Sequence, residues 1–164
     1  MNQNVQSKIK DKIQEDISPT RNLSGIHLKV VFGIAILWTF FQLWYASPFP
    51  FWFNFGMFKG LPARAIHLGF ALTLTFLIFP AVRGKKISVF DILISISAAF
   101  CCLYIYFFYD DLVNRGGILL VKEIFGFKVP VELIIGSIGI LILLEATRRA
   151  IGMPLVIIAI CFLL

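Results

Sequence analysis

The chain has 164 residues, of which 59% are hydrophobic, with 18 phenylalanines and a mean hydropathy of +0.90. A soluble domain holds roughly 45–50% apolar residues, so this composition excludes a water-soluble globular protein and makes the chain an integral membrane protein. The net charge of +6 comes from short basic clusters set between apolar runs, which form no continuous basic surface and exclude nucleic acid as a partner.

The chain opens with a polar tail, residues 1–27. Ile9, Ile13 and Ile17 recur every four residues among its charges and predict a short amphipathic helix stopped by Pro19, with a disordered tail as the alternative. A polar lead this long does not fit a signal peptide, so it is expected to remain uncleaved. A first span follows from about Leu28 to Ala46, and Trp44 and Tyr45 place its far end at a headgroup layer. The run Ser47 to Pro62 then brackets six aromatic residues with prolines. It cannot continue the helix and is too apolar for a solvated loop, so it belongs in the membrane interface.

The second span is expected from about Ala63 to Val82. Ala65, Gly69 and Thr73 fall every four residues along it, a small-residue face against which another helix can pack closely. Arg83, Lys85 and Lys86 lie in a short loop, and the third span runs from about Ile87 to Tyr109. Within it Ser88, Asp91, Ser95, Ala98 and Cys102 form one polar and small stripe, predicted to face other helices. A long loop, Asp110 to Val129, carries Arg115 beside Gly116 and Gly117, then the amphipathic run ILLVKEIFGF.

The fourth span starts at Val131 and ends in Glu145, Arg148 and Arg149, whose spacing puts all three on one helix face at the membrane surface. A fifth apolar run, Met153 to Leu164, is too short to cross a bilayer, and reads as the start of a further span in a longer protein. The fold expected is therefore all-α: four transmembrane helices (28–149) plus the beginning of a fifth (150–164).

Three stretches carry a family resemblance. LILLEATRRAIGMPLVII (Leu141 to Ile158), RAIHLGFALTLTFLIFP (Arg64 to Pro80) and YDDLVNRGG (Tyr109 to Gly117) together resemble the N-terminal part of a TRAP (tripartite ATP-independent periplasmic) transporter permease. The likeness is to the fused type, in which a four-helix small subunit is joined to a twelve-helix large one. The resemblance implies sodium-driven uptake of carboxylate-bearing solutes across the bacterial inner membrane. It also implies two protein partners, a large permease domain and a periplasmic substrate-binding protein, with this segment as scaffold. A fused permease is several times longer than this chain. The alternative is a stand-alone four-helix membrane protein with a structural or partner-binding role.

Basic residues set the orientation. With the N-terminus inside, ten of the 15 lie on the cytoplasmic side, which favours both the N-terminus and the Arg148–Arg149 end inside. No P-loop, nucleophile elbow or clustered His/Cys set occurs, so no catalytic, cofactor or metal residues are assigned and no enzyme is expected. Cys101, Cys102 and Cys161 read as packing residues. The ionisable residues within the spans are His67, Asp91, Glu132 and Glu145, with His67 and Asp91 near opposite ends. Candidate helix-packing or interface residues are Asp91, Arg115, Glu145, Arg148 and Arg149. Glu132 is placed at the outer edge, within reach of water, so its neutralisation is expected to matter less than that of Glu145.

Overall fold

A computed structural model of the chain describes residues 20, 21, 23–58, 60–81, 87–116, 118, 119, 121–124 and 127–163, with the backbone alone for 122–124 and 127–129. The tail helix expected around Ile9 to Ile17 and the basic loop at Arg83 to Lys86 lie outside the described residues. Long apolar runs become helices because a helix satisfies its own backbone hydrogen bonds where water is absent. The helices are α1 (Ile26–Ala46), α2 (Phe49–Phe53), α3 (Gly60–Ile78), α4 (Val89–Phe107), α5 (Tyr109–Asn114), α6 (Val131–Ala150) and α7 (Met153–Leu163).

Their ends follow local chemistry. Ser47 is extended (φ −85°, ψ 164°) because the following proline disfavours helical backbone, and α1 stops there. α4 begins with a capping box, in which the Phe90 N–H donates to Ser88 Oγ at 3.3 Å and the Ser88 N–H to Asp91 Oδ2 at 3.2 Å. Gly152, at φ +115°, breaks the chain between α6 and α7.

Three helices, α1, α3 and α4, are long and apolar enough to cross a membrane. At 1.5 Å per residue each measures about 28–32 Å, the thickness of a hydrocarbon core. α6 has the length, 20 residues, but carries Glu132 in its first turn and Glu145, Arg148 and Arg149 towards its end.

α3 lies at the centre of the packing, touching α1, α4 and α6. Its side chains Leu72 and Phe76 join Ala98, Cys101 and Cys102 of α4 and Ile142 and Ala146 of α6 in the main core. A smaller cluster joins Val31 of α1 to Leu74 and Leu77 of α3. Most of both stripes read from the sequence lies at these contacts: Ala65 and Gly69 are buried and Thr73 half-buried; Asp91, Ser95, Ala98 and Cys102 are buried, while Ser88 at the head of the second stripe is exposed. A Cβ built on Gly69 would sit 3.2 Å from Cys102 Cβ, so the missing side chain sets the α3–α4 separation.

The chain is helical as expected, with additions in the stretches between the long helices: the short helices α2 and α5, and a hairpin in the loop after α5. There β1 (Val121–Ile124) and β2 (Phe127–Pro130) pair antiparallel, Val121 opposite Pro130 and Ile124 opposite Phe127.

Candidate functional site

The densest polar constellation among the described residues closes one end of the bundle. Asp91 is its hub. As the N3 residue of the capping box it already accepts from Ser88, and its position on the packed face of α4 turns the carboxylate inward. Arg149 Nη1 donates to Asp91 Oδ1 at 2.7 Å, and Arg21 Nη2 donates to Oδ2 at 2.7 Å. All three side chains are at most 5% exposed.

Each charge suits the helix end it occupies. The acid stands at the N-terminus of α4, where the helix dipole is positive, and Arg149 at the C-terminus of α6, where it is negative. Arg21 does more than pair. Its backbone N–H donates to the Ile78 carbonyl at 2.8 Å and its Nη1 to the Leu77 carbonyl at 3.2 Å, so the arm before α1 caps the last turn of α3.

The network continues outward along α6. Arg149 Nε donates to Glu145 Oε1 at 2.8 Å, and Arg148 binds the same carboxylate through Nε and Nη2, both at 2.7 Å. The exposure rises along this path, from 1% for the Arg149 side chain to 29% for Glu145 and 38% for Arg148. Arg149 also lies over the Phe76 ring, 5.0 Å from its centroid, which offers the guanidinium a second electrostatic partner. Three cations and two acids share the cluster, and Arg21 Nε and Arg149 Nη2 are buried without a hydrogen-bond acceptor.

The clasp fixes the relative direction of four helices. The arm before α1, the C-terminus of α3, the N-terminus of α4 and the C-terminus of α6 meet at one end, so consecutive long helices alternate in direction. Four of the five residues singled out by sequence, Asp91, Glu145, Arg148 and Arg149, are brought together here. The fifth, Arg115, is ion-paired with Glu132 at the start of α6. Glu132 differs from the sequence expectation: its side chain is only 9% exposed. The turn after α5 carries Arg115 back against α6 and covers the acid.

Comparison with protein-family models, with characterised proteins and with solved structures gives no match.

Two further features remain. His67 Nδ1 lies 3.4 Å from Trp38 Nε1 and 3.1 Å from Gln42 Nε2, a contact between α1 and α3 that shares no partner with Asp91. An apolar cavity of about 290 Å³ opens between α4 and α6, with Leu72 of α3 in its lining, Gly136 and Gly139 on one wall and Glu132 at its rim. Cys101 and Cys102, which also line it, are buried free thiols. The arrangement holds helices together through charge; among the described residues no three His, Cys, Asp or Glu side chains gather as a metal site.

Arg21 is the participant that sequence reasoning missed. It stands among other charges in the polar tail, and the only local signal is its position five residues before the start of α1.

Proposed function

We propose that the chain is the small-subunit-like membrane part of a TRAP-type secondary transporter, a scaffold that carries no transport site of its own. In this reading α6 is a fourth span, because its charges sit near its two ends and Leu133 to Leu144 between them is uncharged. The N-terminus and the Arg148–Arg149 end face the cytoplasm of a bacterial inner membrane, as the basic residues favour. The observation that carries the scaffold role is the clasp. Its buried acid and two buried arginines are committed to joining helix ends, whereas a transport site usually lies at broken helices near the midplane. The long helices α3, α4 and α6 are continuous. The solute and sodium sites then belong to the large permease domain, and a periplasmic binding protein delivers the carboxylate-bearing solute to the assembly.

The test is reconstitution. In liposomes with an inward sodium gradient, the chain alone should give no carboxylate uptake above empty vesicles. Affinity-tagged chain drawn from its native membranes should bring with it a polytopic partner, and the pair should take up solute when the binding protein is added. Saturable uptake by the chain alone would overturn the scaffold role. Recovery of the chain without a partner, with no effect of its deletion on sodium-dependent uptake, would support the stand-alone structural protein instead.

A further inference from the structure

The chain between α1 and α3 folds into a compact aromatic element with two unlike sides. On the inner side Trp44 of α1 stacks with Phe53 (centroids 6.3 Å apart, planes at 14°) and tilts against Phe49 at 6.3 Å. Two backbone positions allow this return. Asn54 takes the left-handed conformation (φ 50°) and ends α2, and Gly56 (φ +68°) passes so close that a Cβ there would lie 2.9 Å from Trp44 Nε1. Phe51, Trp52 and Phe55 turn outward, 75%, 73% and 73% exposed, with Trp52 edge-on to Phe49, and Phe53 is itself 67% exposed on the face away from Trp44.

Large aromatic rings this exposed call for a covering, and two features say what supplies it. The element joins the end of α1 to the start of α3, both of them long and apolar enough to cross a membrane, so it lies where those helices leave the hydrocarbon. From Ala46 to Phe58 the sequence contains no charged residue, and its polar groups are Ser47 and Asn54 alone. A soluble partner's surface would ordinarily be met by charged or hydrogen-bonding groups at the rim, whereas a headgroup layer favours an indole flanked by phenyl rings. We infer that Phe51, Trp52 and Phe55 form a membrane-interface anchor that inserts into the headgroup–acyl boundary of one leaflet and fixes the depth and tilt of the α1–α3 pair. Trp44 and Gly56 hold it in that pose. The inference rests on the membrane-embedded fold and not on the transporter reading.

The unaltered full chain and its Trp52→Phe variant are reconstituted into phosphatidylcholine vesicles, and the difference between their emission spectra isolates Trp52. Fluorescence is measured with lipids brominated near the top or near the end of the acyl chain, and with aqueous iodide. Bromines near the glycerol should remove most of the Trp52 emission, terminal bromines much less, and iodide almost none. Strong iodide quenching would overturn the anchor by placing the ring in water. Emission insensitive to all three quenchers would overturn it as well, by placing the ring under protein.

Discussion

Arg149 and Asp91, 58 residues apart, meet through a 2.7 Å hydrogen bond that joins the last turn of α6 to the first turn of α4. Both side chains are almost wholly buried. A buried ion pair contributes little net stability against a hydrophobic replacement, because desolvation offsets the attraction, yet breaking one by removing a single partner is costly. That asymmetry gives the first prediction. Asp91→Asn leaves buried Arg21 without an anion and buried Arg149 with Glu145 alone, and should lower stability by about 3–5 kcal/mol. Replacing all three members together (Arg21→Met, Asp91→Leu, Arg149→Met) should restore most of the loss. Thermal unfolding in detergent is the measurement, and a triple variant no better than Asp91→Asn would show that the charges themselves stabilise the fold.

Two glycines in the long helices provide a second comparison. At Gly69 an added methyl meets Cys102 Cβ of α4 at 3.2 Å; at Gly33 nothing lies within 4 Å. Gly33→Ala should be neutral or stabilising by up to about 1 kcal/mol through helix propensity. Gly69→Ala should destabilise by about 1–3 kcal/mol, since the helices must move apart. Equal effects in a thermal-shift assay would mean that the two backbones are not in contact at Gly69.

How far these features are legible in the sequence depends on the range of the interaction behind them. The α3 and α4 stripes are visible because 3.6-residue periodicity is local, and the order of the helices follows from apolar run lengths. Glu145 with Arg148 and Arg149 is readable for the same reason, being one turn apart on a single helix. The pairing of Asp91 with Arg149 is not, because it depends on which helix ends meet in space. Arg21 is hidden more deeply, since a charge in a polar tail looks the same whether it is solvated or caps a neighbouring helix. The β1–β2 hairpin left a faint mark, two β-rich runs separated by a two-residue step ending in Gly126. The apolar and charged mixture of that run disguised it as an amphipathic stretch.

Arg148 shows the opposite case to Asp91. It binds Glu145 with two hydrogen bonds, but its side chain is 38% exposed, and exposed pairs are worth about 0.2–1 kcal/mol. Arg148→Ala should therefore shift the unfolding midpoint only slightly, and rising salt should weaken that effect further. A loss as large as that of Asp91→Asn would show that Arg148 is covered by a partner.

Glu132 and Glu145 test the sequence expectation directly. Glu145 keeps contact with solvent, and its removal leaves Arg149 still held by Asp91 and Arg148 free to hydrate. Glu132 is the more enclosed of the two acids, at 9% against 29% side-chain exposure, and Arg115 is its partner from a separate turn of the chain. Glu132→Gln should thus destabilise more than Glu145→Gln, the reverse of the order expected when Glu132 is assumed to reach water. Loss of charge at Glu132 also detaches the turn after α5 from the rim of the α4–α6 cavity, so proteolysis near Arg115 should accelerate in this variant alone. Exchange of the pair, Arg115→Glu with Glu132→Arg, should recover part of what either single change loses, because it restores an opposite-charge pair at the same place. A double-mutant cycle on thermal stability gives the coupling. A coupling near zero would mean that Glu132 is held by its other neighbours and that the Arg115 turn is only resting against α6.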